Sequence, residues 1–156
     1  LDKELQLEIK GVSEDGSFEG IASVYGNIDS QGDRIEPGAF SEDNGKEVPL
    51  LWSHKRDDPV GIGRLENSPA GVLVKGKLDL ETAAGREAYS RLKKGIIKGL
   101  SIGLQLVQHA YDGAVRVILK GIIREVSLVL FPANPDARVL AFKEQGGSIA
   151  DLLKYC

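Results

Sequence analysis

The sequence predicts an α+β protein, mainly antiparallel β, built as a small closed or nearly closed β-barrel with peripheral helices. Three observations carry this expectation. Apolar and polar residues alternate with a period of two between regularly placed glycines, as in Leu5, Leu7 and Ile9 against Glu4, Gln6, Glu8 and Lys10. A long run rich in β-branched residues, AVRVILKGIIREVSLVLF, follows a DG turn. Only one segment, TAAGREAYSRLKKG, has the spacing of a substantial helix. Such a pattern fits a barrel with helices outside it better than a doubly wound sheet.

In chain order, the strand around Leu5–Ile9 ends at the turn SEDGS, and FEGIASVYG returns as a second strand. NIDSQGDRIEPGAFSEDNG is too rich in Gly, Asp, Asn and Pro for regular structure and reads as a long loop with a helical turn near Pro37–Phe40. EVPLLWSH is an apolar strand that breaks into a polar loop at KRDDP, and VGIGRLE pairs with GVLVKGKLDL through NSPAG. In the helix Thr82 is the cap, Ala84, Ala88 and Leu92 recur at four-residue spacing, Lys93 and Lys94 suit the C-terminal dipole, and Gly95 ends it. SIGLQLVQHAY then begins a strand at Ser101, and SIADLLKYC closes the chain as a short amphipathic helix capped by Ser148.

At 156 residues and 42% hydrophobic content, the chain has the size of one domain. Its net charge of −3 creates no field that would gather nucleic acid or an anionic membrane, and no apolar run approaches the ~20 residues needed to span a bilayer. The N-terminus lacks the layout of a signal peptide, so the chain reads as soluble and unexported. The one cysteine, Cys156, excludes an internal disulfide and any CxxC or Cys/His metal set, and a reducing compartment fits. Starting at Leu1 and containing no methionine, the sequence reads as a trimmed or excised product.

Gly99-Leu100-Ser101-Ile102-Gly103 matches the G-x-S-x-G pattern of a nucleophile elbow, but its context is inverted. An elbow runs from strand into helix with its histidine last in the chain. Here a helix ends before the motif and a strand follows. The only downstream histidine, His109, lies eight residues along the same strand, about 26 Å away. A serine nonetheless needs a base to act as a nucleophile. With two histidines in the chain, His54 is the better placed, at a strand end where a side chain can line a barrel rim, although a loop position also suits an exposed histidine. The base in turn needs an orienting group. Glu125 sits inside an apolar strand, sharing a face with Ser127, Val129 and Phe131 while Arg124, Val126, Leu128 and Leu130 take the other. Such a carboxylate is seldom unpaired, and a structural ion pair with Arg124 or a neighbouring basic residue competes with a catalytic role.

VYGNIDSQGDRIEPGAF, LLWSHKRDDPVGIG, LKKGIIKGLSIGL and EVSLVLFPANPDARV, in this order, resemble the prohead (capsid-maturation) proteases of tailed phages of the HK97 type. The likeness covers roughly residues 4–142, leaving residues 1–142 as the protease domain and 143–156 as a C-terminal extension. It implies a fold similar to the herpesvirus assemblins, and a serine endopeptidase using Ser101 as nucleophile and His54 as base. Assemblins use a second histidine as third member, whereas the phage pattern implies Glu125, with His109 as the alternative. Arg138 is the nearest counterpart of an assemblin arginine that assists the oxyanion, and by itself reads as a surface charge. Asp29 and Asp33 of NIDSQGD admit a metal site or a turn-forming role, and the turn is the simpler reading. No cofactor or metal is implied.

The implied substrates are a scaffold, or the scaffolding segment of the major capsid protein, and the protease itself, cut within the prohead in the host cytoplasm. A homodimer or higher oligomer is left open. Two other classes compete: a catalytically inactive capsid-assembly component with the same barrel, and a binding module in which Ser101 is a buried turn serine.

Overall fold

The computed structural model describes residues 12–140. The expected strand around Leu5–Ile9 and the expected helix from Ser148 lie outside them. Within the described residues run β1 (Ser17–Val24), β2 (Asp33–Ile35), a 3-10 turn (Ser41–Asp43), β3 (Glu47–Trp52), β4 (Lys55–Ser68), β5 (Gly71–Leu78), α1 (Ala83–Lys93), β6 (Gly99–Asp112), β7 (Val115–Val129) and β8 (Arg138–Leu140). Strand pairing in the order β7-β3-β4-β5-β1-β8-β6 returns to β7 and closes a seven-stranded barrel, with β2 attached to the outer part of β7. The contacts are antiparallel except for β3 and β2, which pair with β7 in parallel.

The barrel interior follows from alternation. Leu50, Val60, Leu65, Val74, Leu100, Ile123, Val126 and Leu128 are buried in one cluster, and burial of each large aliphatic side chain contributes roughly 1.5–3 kcal/mol. The helix forms as expected: the Thr82 hydroxyl accepts from the Gly85 amide at 3.0 Å, Ala88 and Leu92 are buried, and Gly95 leaves the helix at φ 71°. Arg91 on this helix lies over the Trp52 ring at 4.5 Å, tying α1 to the end of β3.

Three expectations are corrected. KRDDP is the first part of β4, because Trp52 pairs directly with Lys55 across a two-residue turn, Ser53-His54. Its residues look loop-like because this end of the strand is largely exposed. Within NIDSQGDRIEPGAFSEDNG, Asp33–Ile35 form β2 by pairing in parallel with Arg116–Ile118, a partner more than eighty residues away, and the helical turn lies slightly later, at Ser41–Asp43. Finally, Arg124 does not share the face of Val126 and Leu128. Gly103 pairs with Glu125 and Leu104 with Ile123, so Arg124 is the extra residue of a β-bulge and turns outward to Gln105 Oε1.

The β6–β7 hairpin is longer than the barrel is tall. Gly99–Gly103 pair with Val129–Glu125 inside the wall, whereas β6 is exposed from Val107 to Asp112. The strand starts two residues before Ser101, at Gly99.

Candidate active site

The site is assembled on the outer face of β7. Ser101 on β6 stands opposite Ser127 and Gly103 opposite Glu125, so four positions share one face across the β6–β7 pair. On the other side of β7, β3 runs in parallel and ends in the Ser53-His54 turn. Both turn residues have positive φ, 49° and 60°. This is the backbone of a type I′ hairpin, which ordinarily takes Asn-Gly. A non-glycine residue in that region costs roughly 1–2 kcal/mol. Two hydrogen bonds to β7 hold the turn: Ser53 N–H to the Leu128 carbonyl at 2.9 Å and His54 N–H to Ser127 Oγ at 3.0 Å.

From this turn the imidazole reaches back over β7, and its Nδ1 lies 2.7 Å from Glu125 Oε1. The other carboxylate oxygen, Oε2, accepts from the Ser127 hydroxyl. The Glu125 side chain is only 12% exposed, so its charge is satisfied by His54 and Ser127 rather than by Arg124. With Nδ1 bonded to the carboxylate, the ring's Nε2 is left for other work.

Ser101 and His54 line the same cavity, about 120 Å³, enclosed by the loop carrying Asp29 and Gln31 and by the loop carrying Ala133 and Asn134. No hydrogen bond joins their side chains among the described residues. The loops hold each other: the Ser30 amide donates to the Ala133 carbonyl at 2.9 Å and Asn27 bonds both Asn134 and Asp136. A larger groove of about 680 Å³, between β4–β5 and the start of α1, is lined by neither a serine nor a histidine.

The second glycine of the motif acquires a role here. A Cβ on Gly103 would stand 2.9 Å from both Cγ and Cδ of Glu125, and nearer still to Oε1. Bare backbone at 103 is therefore what leaves room for the carboxylate beside His54. Gly99 is constrained differently, by Pro132 at 2.8 Å.

The remaining candidates fall elsewhere. His109 pairs with Ile118 on the exposed part of β6, packs edge-on against Tyr111 at 5.6 Å and does not line the cavity. Asp29 Oδ1 accepts from the Gln31 and Asp33 amides at 2.9 and 3.0 Å, and Asp33 makes a two-pronged bond with Arg116 at 2.9 and 2.8 Å. These acids shape the loop and fasten β2 to β7. Arg138 is not a surface charge: β8 inserts between β1 and β6, leaving its side chain 18% exposed, with Nε and Nη2 buried and unpartnered among the described residues. Ser127 shares the Glu125 face, as strand alternation implies, but alternation alone assigns it no role. The available signal was the E-x-S spacing, which sets hydroxyl and carboxylate side by side on one face of a strand.

Against known proteins, the profile of the family described as Caudovirus prohead serine protease matches residues 3–150. The chain is 32% identical over 152 residues to the prohead protease of Enterobacteria phage HK97, covering 92% of this chain and 68% of that one. It is 30% identical over 149 residues to the capsid polyprotein of Pseudomonas phage PAJU2, covering 88% of this chain but 22% of the polyprotein. The prohead protease of Escherichia phage T5 is 25% identical over 155 residues, covering 92% of this chain and 73% of that protein. Among solved structures, the KSHV protease in complex with a hexapeptide phosphonate inhibitor superimposes with a TM-score of 0.53 at 17% identity, over 80% of this chain and 64% of that one, which establishes a shared barrel fold. With a family match over nearly its whole length, the chain belongs to the caudovirus prohead serine proteases and is a phage prohead maturation protease.

Proposed function

We propose that Ser101, His54 and Glu125 carry the peptide-bond chemistry as nucleophile, base and orienting carboxylate. The observation that carries this reading is the 2.7 Å bond between His54 Nδ1 and Glu125 Oε1, made by a histidine that shares a cavity wall with Ser101. Ser101 Oγ attacks the scissile carbonyl carbon and its proton passes to His54 Nε2. Collapse of the tetrahedral adduct expels the amine, which takes that proton, and water then releases the acyl group by the same steps in reverse. Glu125 holds the ring in the tautomer with hydrogen on Nδ1 and stabilises the imidazolium as it forms. An unbonded Ser101–His54 pair is compatible with this mechanism, because catalytic hydrogen bonds often tighten only when substrate is bound.

The substrate on this reading is a scaffold polypeptide or the scaffolding segment of the major capsid protein, together with the protease itself. Confinement in the prohead, within the host cytoplasm, raises the effective concentration of such a segment without requiring further contacts, which suits a cavity as small as this one. A fluorophosphonate probe tests the assignment: it labels Ser101 in the wild-type chain, and labelling disappears in Ser101→Ala and His54→Ala. An unlabelled wild-type protein, even concentrated or assembled, would overturn it.

A further inference from the structure

The chemistry above leaves out a side chain that touches two of its three participants. Ser127 is fully buried, its hydroxyl oxygen accepts from the His54 backbone N–H at 3.0 Å, and its one hydroxyl proton is donated to Glu125 Oε2. Glu125 Oε1 in turn meets His54 Nδ1 at 2.7 Å. These three bonds form a closed ring running from the His54 main chain through Ser127 and Glu125 to the His54 ring.

We propose that Ser127 is a positioning residue for the catalytic base, acting through both the backbone and the side chain of His54. This inference rests on the triad reading above. The His54 side chain is 44% exposed, so packing alone does not hold the imidazole, and its direction depends on hydrogen bonds. Its backbone occupies a left-handed conformation at φ 60° that a histidine does not adopt cheaply, and the bond to Ser127 helps keep it there. The carboxylate is fixed at both ends: with Oε2 committed to Ser127, Oε1 is presented to Nδ1 in one orientation. One buried hydroxyl thus sets where the ring starts and where its partner stands.

The test uses the full chain and the variants Ser127→Ala, Ser127→Thr and Ser127→Cys, with Ser101→Ala and Glu125→Gln as references. Two quantities are read: the fluorophosphonate labelling rate at Ser101 as a function of pH, and the low-field proton resonance of His54 Nδ1–H. Ser127→Ala is expected to slow labelling about 10- to 100-fold and to shift or abolish the Nδ1–H signal. Ser127→Thr, which restores the hydroxyl, recovers most of both. Wild-type labelling and an unmoved signal in Ser127→Ala would overturn the inference while leaving the triad standing, provided Ser101→Ala is unlabelled and Glu125→Gln is slow. Should Ser127→Ala fail to fold, Ser127→Cys decides the matter, since it fills the site but donates poorly. Slowed labelling there supports the inference, and wild-type labelling ends it. Labelling that persists in Ser101→Ala, or is unchanged in Glu125→Gln, would mean that the triad reading has failed and Ser127's role has gone with it.

Discussion

Replacing Gly103 by alanine tests the site with a single methyl group. The added Cβ would lie 2.9 Å from Cγ and Cδ of Glu125 and closer to Oε1, whereas non-bonded carbons rest about 3.5–4.0 Å apart. The carboxylate must therefore retreat by on the order of 1 Å, and the atom most displaced is the one bonded to His54 Nδ1. A misplacement of that size near a reacting group costs about 10²-fold in rate, equivalent to roughly 2.7 kcal/mol in the barrier. Stability should change little. Alanine in a strand recovers about 0.5–1 kcal/mol of the backbone entropy that glycine loses, and the displaced atoms belong to the end of a flexible side chain. The labelling rate at Ser101 and the urea midpoint, measured on one preparation, separate the two effects. Gly103→Ala with a native midpoint and a wild-type labelling rate would refute the reasoning that the Glu125–His54 bond matters and that Gly103 exists to admit it.

Glu125→Gln keeps the shape and removes the charge, so it should slow cleavage by up to about 10⁴-fold, less severely than Ser101→Ala; an unchanged rate would remove the orienting role from Glu125. Asp33→Asn breaks the two-pronged bond that fastens β2 to β7, and because Arg116 is 40% exposed and can turn to water, the loss is about 1–2 kcal/mol. It is read as a lower urea midpoint at constant slope, and an unshifted midpoint would show that β2 is held by other contacts. Tyr25 donates its hydroxyl proton to Asn67 Oδ1 at 2.5 Å, and burial pushes its ionisation above the ordinary value of 10. Since the unfolded chain ionises first, the stability this residue contributes is complete below pH 10 and is lost as pH rises from there towards the folded-state value. Tyr25→Phe should flatten the alkaline fall in thermal midpoint, and an equal fall in both proteins would show that Tyr25 is not its source.

Much of the barrel was legible because it depends on local pattern. Alternation located β1, β3, β5 and most of β6 and β7, and Thr82, Ala88, Leu92 and Gly95 defined α1 by capping and period alone. The errors share a cause, which is that a partner strand rather than composition makes these segments strands. Nothing in DRI marks it as a strand until Arg116–Ile118 lie alongside it, and nothing in KRDDP does until Trp52 pairs with Lys55. Ser-His carries none of the glycine or asparagine that signals a type I′ turn, and its positive φ angles are held by bonds to β7, more than seventy residues on.

The site divides in the same way. The family resemblance nominated Ser101, His54 and Glu125, whereas residue chemistry alone left His54 open as an exposed loop histidine and Glu125 as half of a structural ion pair. Arg124 looked the natural partner of Glu125 because it is the adjacent basic residue, whereas the carboxylate is taken by His54 and Ser127, which lie across strands, and Arg124 bonds Gln105; Arg138 looked exposed because β8's place between β1 and β6 is not written in PANPDARV. The sequence by itself determined which side chains were available as nucleophile, base and carboxylate and where most of the strands lie. Only the tertiary structure decided that β7 lies between β6 and β3, and therefore that a hydroxyl, a carboxylate and an imidazole from three separate segments meet on one face. Side-chain period is a property of each strand, whereas strand order and register are set by closing the barrel as a whole.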